Sequence, residues 1–443
     1  MSLSLHVLAM VLTLSPGVPN GASRPAVEVS GAPTDVHTRR SPSPAQPSTI
    51  RVGSGKRFSS IAEAVEAALP GDTIVVSPGV YREAAVILDK PLSLLGEQGA
   101  ILDGEGSRGL VEIRADSVTV AGFTLRDTGI SFTTDRAAIL ADGVRFCRIA
   151  ENRLEDTFFG IYLANTGQCR IENNVLVASA GRETRAGNGI HLWYSKEIRI
   201  AGNRVEGHRD GIYFEFVEDS DVRDNRSTGN VRYGLHFMFS DNCTYTDNVF
   251  SANGAGVAVM YTAGIVMDGN DFRGNLGNAA FGLLLKDITD SEIRGNRFLE
   301  NSIALHAEGA NRVQVTANDF VRNGWAIRIM ANSESSTVTG NNFLGNSFDV
   351  ATNSRRSYSD FHGNFWDRYR GYDRNGDGVG DVPFHPVRLF SLVVAQNEPA
   401  LILQRSPLVG LLDVAEQILP VLTPKGLVDG RPSMAPLTSN WDR

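Results

Sequence analysis

Apolar and polar residues alternate in short stretches along most of the chain, and an asparagine recurs beside them in one context. Alternation with period two is typical of β-strands, and a fixed short period is typical of a solenoid. An apolar residue stands three positions before each of these asparagines, and Phe or Trp stands two positions after the last six. The asparagines, spaced by 22 to 29 residues, are Asn152, Asn174, Asn203, Asn225, Asn248, Asn270, Asn296, Asn318, Asn341 and Asn364.

Equivalent residues one repeat apart indicate strands that stack in parallel, about 4.8 Å apart. The pattern therefore predicts an all-β fold, a right-handed single-stranded parallel β-helix of the pectin-lyase type. Asn suits the tight turns because it tolerates left-handed backbone and bonds locally, and stacked Asn side chains are expected to form a ladder. A leucine-rich repeat does not fit, because its Leu pattern and its helical half are missing from the sequence.

Composition divides the chain into four segments. Residues 1–23 carry an apolar run and a small-residue cleavage site, which predict a signal peptide and export, although no Lys or Arg precedes the run. Residues 24–50, rich in Pro, Ser, Thr and Ala, predict a disordered linker. Residues 51–386 contain the β-helix. Residues 387–443 contain Pro-broken apolar segments, too interrupted to span a bilayer, that we expect to cap the last coil or to dock on a partner.

One amphipathic helix is predicted before the first coils. Ser60 and Glu63 have the spacing of a capping box at its start. Such a helix can cover the open first coil, whose bare backbone would otherwise invite edge pairing. Its apolar face is predicted to comprise Ile61, Ala64, Val65, Ala68 and Leu69.

The chain has three cysteines, and all three fall in one column of the repeat. Cys147 and Cys169 each stand five residues before a repeat Asn, so they should stack on adjacent coils. The spacing fits a disulfide and fits two buried thiols equally well. Cys243 occupies the same column three coils later, and the three do not have the pattern of a metal cluster.

A second strand follows each repeat Asn and carries an unusual outward face. The first and third residues after a Gly are apolar and should face the core, and the second and fourth should face out. Three of the five methionines beyond the signal peptide fall in this outward stripe. The outward pairs are Tyr162/Ala164, His191/Trp193, Tyr213/Glu215, His236/Met238, Ala258/Met260, Leu284/Lys286, Ala304/His306 and Arg328/Met330.

The stripe suggests a copper site. Met238 and Met260 should be neighbours on adjacent strands, and His236 lies two residues from Met238 on the same face. Two thioether sulfurs and an imidazole suit Cu(I) and suit Mg²⁺ or Ca²⁺ poorly. We expect His191 to be a reserve ligand, with Trp193, Tyr213 and Glu215 forming the rim. The alternative is an apolar patch covered by a loop or a partner.

The segment "YDRNGDGVGDVPF" resembles the first part of an EF-hand loop. Asp373, Asn375, Asp377 and Asp381 take loop positions one, three, five and nine. Phe384 stands where the loop needs its bidentate Glu. A divalent ion, Ca²⁺ if any, and a tight turn built from Asx side chains both remain open.

Four segments together resemble the NosD family. They are "GNGIHLWYSKEIRIAGNRVEGHRDGIYFEFV", "RYGLHFMFSDN", "NGAGVAVMYT" and "GNFWDRYRGYDRNGDGVGDVPFHPV". The resemblance implies a periplasmic protein without catalytic activity that matures nitrous oxide reductase in denitrification. It implies work at the membrane with the permease and ATPase subunits of an ABC transporter. It also implies that the protein takes copper from a copper chaperone and passes it toward the reductase.

The rival interpretation is a β-helix enzyme, a lyase, hydrolase or epimerase acting on acidic polysaccharide. Such sites need clustered carboxylates, whereas the outward stripe carries Glu215 as its one acid in the pairs above. His208, Arg209 and Asp210 form the best catalytic set for that interpretation, although a plain turn explains them as well. Nucleic acid is not expected as a partner, since the formal net charge is −8 and no strong basic run appears.

Overall fold

The structure is a computed structural model that describes residues 46–131, 134–179, 186–277, 279–353, 359–403, 406–418, 426–439 and 441. The predicted signal peptide and nearly all of the predicted linker lie outside these residues. Within the described residues, the strands form three parallel sheets of 14, 13 and 12 strands, here sheets 1, 2 and 3 in the order in which a coil visits them. The predicted parallel β-helix is therefore confirmed.

The strands of each sheet recur once per coil. Sheet 1 comprises Thr49–Val52, Thr73–Val76, Ser93–Gly96, Thr119–Ala121, Arg148–Ala150, Arg170–Glu172, Arg199–Ala201, Asp221–Arg223, Thr244–Thr246, Val266–Asp268, Glu292–Arg294, Gln314–Thr316, Thr337–Thr339 and Asp360–His362. Sheet 2 comprises Gly79–Tyr81, Ala100–Asp103, Thr124–Arg126, Arg153–Glu155, Val175–Val177, Arg204–Glu206, Arg226–Thr228, Val249–Ser251, Asp271–Arg273, Arg297–Leu299, Asp319–Val321, Asn342–Leu344 and Phe365–Trp366. Sheet 3 comprises Val86–Leu88, Val111–Ile113, Ala137–Asp142, Phe159–Ala164, Ile190–Trp193, Asp210–Glu215, Tyr233–Met238, Ala255–Ala263, Phe281–Thr289, Ile303–Glu308, Trp325–Ile329 and Phe348–Thr352.

The repeat asparagines form the expected ladder between sheets 1 and 2. In a typical step, the backbone N–H and the side-chain amide of Asn225 both donate to Oδ1 of Asn248, each at 3.0 Å. The left-handed residue is not the Asn but the one before it, as at Asp224 with φ 54°. Asn suits these positions because its side-chain amide donates to one neighbouring coil while its side-chain oxygen accepts from the other. Its tolerance for left-handed backbone plays no part here.

A second asparagine ladder runs between sheets 2 and 3, and the sequence analysis missed it. Each member stands five residues after a member of the first ladder, and each backbone N–H donates to the next side-chain oxygen. His208 opens this ladder, because its backbone N–H donates to Oδ1 of Asn230 at 3.1 Å. The members are Asn230, Asn253, Asn275, Asn301, Asn323 and Asn346.

The core contains a column of stacked aromatic side chains among its aliphatic residues. Phe272 and Phe298 stack at 4.7 Å between ring centroids, and Phe298 and Phe320 stack at 4.8 Å. Phe343 and Trp366 continue the column toward the last coil, and all of these rings are buried. The predicted aromatic column and its register are therefore confirmed.

Helix α1 (Ile61–Ala67) packs its buried residues Ile61, Ala64 and Val65 into the core at the first coils. The hydroxyl of Ser60 accepts from the backbone N–H of Glu63, as the capping box requires. Glu83 accepts from the N–H groups of Ile61 and Ala62 and so completes the cap. Leu69 is exposed, contrary to the prediction, because the helix ends before it.

The C-terminal segments include helix α2 (Leu389–Gln396), a 3₁₀ helix (Glu398–Leu403) and helix α3 (Pro407–Ile418). Phe390 and Val394 of α2 pack against Trp325 and Phe348 on the outer side of sheet 3. Among the described residues, no helix is both long and apolar enough to cross a membrane.

The tail after the helices caps the solenoid. Buried Asp429 accepts from the backbone N–H and side-chain amide of Asn364, both at 3.1 Å, and from Nε1 of Trp366 at 2.9 Å. It thereby provides the last coil with the acceptor that the next Asn would have supplied. Further along, Asn342 and Leu437 exchange two hydrogen bonds, so the tail runs back over earlier coils.

The structure contains a Cys147–Cys169 disulfide, with Cα atoms 4.6 Å apart, which selects one of the two states that the sequence left open. Cys243 is a buried free thiol, and burial raises its pKa to about 11. A thiol that stays protonated at neutral pH is a poor metal ligand. The cysteines therefore belong to the core and not to a metal site.

Candidate metal site

The register of sheet 3 aligns the outward residues of four consecutive rungs, a rung being one strand of sheet 3. Tyr213 pairs with His236 and His236 with Ala258, while Glu215 pairs with Met238 and Met238 with Met260. The inward residues between them, such as Leu235 and Phe237, are fully buried in the core. We call the outward residues of these rungs the His/Met face: His191, Trp193, Tyr213, Glu215, His236, Met238, Ala258 and Met260.

The rings of this face form a continuous column along the solenoid. Centroids of Tyr162 and His191 lie 4.4 Å apart, those of His191 and Tyr213 4.7 Å, and those of Tyr213 and His236 5.1 Å. His236 is buried, with 4% of its surface exposed, although it points away from the core. The neighbouring ring of Tyr233, at 4.7 Å, covers it from the same strand.

A carboxylate stands behind the imidazole of His236. Oδ2 of Asp210 lies 3.7 Å from Nδ1 of His236, and both side chains are almost completely buried. Nε of Arg209 and Nε of Arg232 lie 3.7 Å and 3.9 Å from the same carboxylate. Neither ring nitrogen of His236 has a hydrogen-bond partner, and neither oxygen of Asp210 accepts a hydrogen bond. An imidazole turned toward a carboxylate on one side keeps its other nitrogen available for a metal.

The two thioethers are more accessible than the imidazole. Met238 and Met260 are each partly exposed and lie directly opposite each other on adjacent strands. The hydroxyl of Tyr213 lies 3.8 Å from the Met238 sulfur and 3.3 Å from a carboxylate oxygen of Glu215. Burial, followed by the charge of Glu215, raises the pKa of Tyr213, so it remains a neutral phenol beside the sulfur.

His191 lies one rung beyond Tyr213. Its Nδ1 lies 3.1 Å from the side-chain amide of Asn188, so one of its two nitrogens is engaged. Burial, together with the charge of Arg209, lowers the pKa of His191 to about 3. Trp193, Tyr213 and Glu215, which we expect at the rim of the site, lie on this face and are all partly exposed.

The register corrects one of the predicted outward pairs. Leu284 pairs with His306 and Lys286 with Glu308, so this rung presents His306/Glu308 and not Ala304/His306. Ala304 occupies the position that Gly fills in the preceding units, and it is fully buried. His306 is largely buried, and desolvation lowers its pKa to about 4.

The proposed rival catalytic set does not converge. His208 is completely buried at the head of the second Asn ladder, and neither of its ring nitrogens has a hydrogen-bond partner. Burial lowers its pKa to about 4. Asp210 faces His236 on the outer side of sheet 3, and Arg209 lies beside it, with Nε 3.7 Å from the carboxylate, so His208 is the member that lies apart.

The EF-hand-like loop uses its acidic side chains on its own backbone. Asp373 accepts from the N–H groups of Gly376 and Gly378, at 2.7 Å and 2.8 Å. Asp377 accepts from Val379 N–H, and Asp381 from Arg374 N–H. These bonds, above all that from Gly378, lower the pKa of Asp373. Across the part of the chain that the structure describes, no three His, Cys, Asp or Glu side chains converge as metal ligands would.

The geometry thus defines a class of protein: a parallel β-helix whose outer face offers one unpartnered imidazole and two in-register thioethers. Soft sulfur with imidazole nitrogen is the ligand set that Cu(I) prefers. A family model described as "Periplasmic copper-binding protein (NosD)" matches residues 176–371, which include the whole His/Met face.

Two curated relatives extend the match over most of the chain. One, from Pseudomonas aeruginosa and named "Probable ABC transporter binding protein NosD", is 31% identical over 369 residues, covering 79% of this chain and 85% of the relative. A protein of the same name from Stutzerimonas stutzeri is 29% identical over 377 residues, covering 81% of this chain and 86% of the relative. The chain belongs to the NosD family.

Solved structures share the fold alone. The surface adhesin PfbA of Streptococcus pneumoniae gives a TM-score of 0.54 at 11% identity, covering 66% of this chain and 86% of the adhesin. The A-module of the mannuronan C-5 epimerase AlgE6 of Azotobacter vinelandii gives 0.51 at 15% identity, covering 68% and 92%. One of these is an adhesin and the other an enzyme, so the solenoid itself does not select a function.

Proposed function

We propose that the protein binds Cu(I) on the His/Met face and hands it over during maturation of nitrous oxide reductase, without catalysing a reaction itself. The observation that carries the proposal is the buried, unpartnered imidazole of His236 beside Met238 and Met260. His236 would supply one nitrogen and the two methionines one sulfur each, a set that suits Cu(I). The match to a family described as periplasmic and copper-binding supports the same assignment.

The placement of the ligands suits transfer better than storage. All three sit on rigid adjacent strands, which fixes their positions before copper arrives. The sulfurs are partly exposed, whereas the imidazole is covered. An approaching protein can therefore contact the thioethers first and replace ligands one at a time.

We propose that the protein is exported and works beside an ABC transporter, both its permease and its ATPase subunits. The names of the two curated relatives support an association with such a transporter. A copper chaperone would deliver the metal, and the reductase would receive it. Exposed apolar side chains on the C-terminal helices support docking of the transporter there: Val393, Leu401, Ile402, Leu408, Leu411 and Val414.

Copper titration tests this function directly. The metal-free, full-length protein is titrated under anaerobic reducing conditions against a chelator that forms a coloured Cu(I) complex. We expect the protein to remove one Cu(I) from the chelator, with loss of that competition in a His236→Phe variant. A wild-type protein that leaves the chelator complex intact would refute the proposal.

Calcium binding by the loop of Asp373, Asn375, Asp377 and Asp381 is a separate proposal. It requires these side chains to exchange their bonds to backbone N–H groups for the ion. A rise in thermal stability on adding Ca²⁺, abolished by Asp377→Ala, would support it. Unchanged stability at millimolar Ca²⁺ would show that the loop is an Asx turn only.

A further inference from the structure

Four aromatic side chains occupy equivalent positions on four consecutive coils, each directly after an outward residue of sheet 3. Tyr194 stacks on Phe216 with centroids 4.6 Å apart, Phe216 on Phe239 at 5.3 Å, and Phe239 on Tyr261 at 5.1 Å. Their planes are within 17° of parallel in every pair. We call Tyr194, Phe216, Phe239 and Tyr261 the aromatic ladder.

The aromatic ladder lies at the surface and not in the core. Tyr194 is 51% exposed, Phe239 42% and Tyr261 41%, while Phe216 is partly buried between its neighbours. Large apolar side chains that are exposed as one contiguous row mark an interaction site more often than isolated ones do.

The backbone at these positions disfavours aromatic residues. All four have left-handed φ angles, between 45° and 56°, which bulky residues rarely adopt. The same turn in the coils before and after carries residues that accept this conformation easily: Gly143 and Asn165 on one side, and Asp287 and Gly309 on the other. The fold therefore does not require aromatic rings at these four positions.

The ladder coincides with the His/Met face rung by rung. Each of its members directly follows an outward residue of that face: Trp193, Glu215, Met238 and Met260 in turn. The aromatic residues thus begin and end with the four rungs of the His/Met face.

The turns beyond the ladder are acidic. The segments 194–198, 216–220, 239–243 and 261–265 together contain four carboxylates, Glu197, Glu218, Asp219 and Asp241, and one lysine, Lys196. A partner with Lys or Arg side chains around an apolar patch would complement this surface in charge.

We infer that the aromatic ladder docks the protein that delivers Cu(I) to the His/Met face, through an apolar patch edged by basic side chains. The inference rests on the proposed function. Clustered aromatic side chains commonly supply most of the energy of such an interface. A donor seated on the ladder would hold its own metal site against Met238 and Met260, the exposed ligands on the adjoining column.

The test compares two copper sources with the full-length protein. The variant Tyr194→Asn/Phe216→Asn/Phe239→Asn removes three rings. Its fold should persist because Asn165 has the same left-handed conformation at the equivalent position of the preceding coil. Cu(I) is offered either on the copper chaperone proposed as donor or on a small chelator. We expect the transfer rate from the chaperone to fall at least about tenfold and the rate from the chelator to stay unchanged. Added salt should slow transfer from the chaperone to the wild-type protein.

Phe146→Asn is the matched control, because Phe146 is also exposed and left-handed but lies outside the ladder. This control should accept copper from the chaperone at the wild-type rate.

An undiminished rate of transfer from the chaperone to the triple variant would overturn the inference, as would an equal fall in the rate from the chelator. Loss of uronate-oligomer binding with normal transfer would also overturn it, by assigning the rings to a sugar. If the triple variant misfolds, Phe239→Asn alone is compared with the control. A wild-type protein that takes no copper from the chelator would instead refute the proposed function.

Discussion

Nδ1 of His236 lies 3.7 Å from a carboxylate oxygen of Asp210, and the two residues are on adjacent strands of sheet 3. Because a carboxylate at this position favours the tautomer protonated on Nδ1, it leaves Nε2 free to bind a metal. Asp210 is thus a positioning residue for the proposed copper ligand. The buried pair is the clearest sign that the outward face is organised for more than packing.

Asp210→Asn should weaken Cu(I) binding roughly 10- to 100-fold, as loss of a partner behind a metal-bound histidine does. The ¹⁵N chemical shifts of His236 should show a change in tautomer, which a purely structural effect would not produce. Asp271→Asn is the control, since Asp271 is a buried carboxylate of sheet 2, away from the face. Wild-type Cu(I) affinity in the Asp210→Asn variant would show that Asp210 does not position His236 for copper.

Phe298→Ala should lower the free energy of unfolding by roughly 3–5 kcal/mol, the cost of truncating a large buried side chain. Phe298 stacks between Phe272 and Phe320 and is fully buried. Chemical denaturation measures the loss. The exposed Phe146→Asn variant should lose far less, and a loss below about 1 kcal/mol for Phe298→Ala would contradict its place in the core.

Asp429→Ala should destabilise the last coil. Asp429 accepts hydrogen bonds from Asn364 and Trp366, and each buried donor left without an acceptor costs about 1–3 kcal/mol. Hydrogen exchange should show faster exchange in the strands around Phe365 than in those of the first coils. Uniform exchange in the variant would mean that the tail does not cap the solenoid.

Asp349 should make stability depend on pH. Burial raises its pKa from 3.8 to about 7, so the folded state retains a proton that the unfolded state has lost across this window. The contribution of Asp349 to the free energy of unfolding should therefore be largest below about pH 4 and fall as the pH rises toward 7, by up to about 4 kcal/mol. Thermal melts of the wild type and Asp349→Asn measure the difference. Equal slopes for the two proteins would contradict the shifted pKa.

The periodic features of the molecule could be predicted because each coil repeats the same residue types at the same positions. Asn225 and Phe298 are examples, since both recur in register with identical neighbours. The second Asn ladder is equally regular in the sequence, because its members stand five residues after members of the first. His306 was assigned to the wrong column because Ala304 replaces the Gly that marks the start of the unit.

The remaining features depend on contacts that no period reveals. Asp429 reaches the ladder from 65 residues away in sequence, beyond the helices. The sequence singles out Asp210 together with His208 and Arg209, but the position of Asp210 beside His236 on the adjacent strand depends on how the strands pack. The match of Met238 with Met260 was predictable from the repeat, whereas the burial of His236 beneath Tyr233 required the three-dimensional packing.

The most direct test of the account is the Cu(I) affinity of Met238→Leu/Met260→Leu. Leu preserves the apolar volume and removes both sulfurs, so the fold should be unchanged by circular dichroism and thermal melting. Met434→Leu, which changes an exposed methionine of the tail, is the control. We predict that the double variant binds Cu(I) at least about tenfold more weakly than the wild type and the control, since thioether ligands select this ion. Equal Cu(I) affinity in all three proteins would show that the His/Met face is a packing surface and not the copper site.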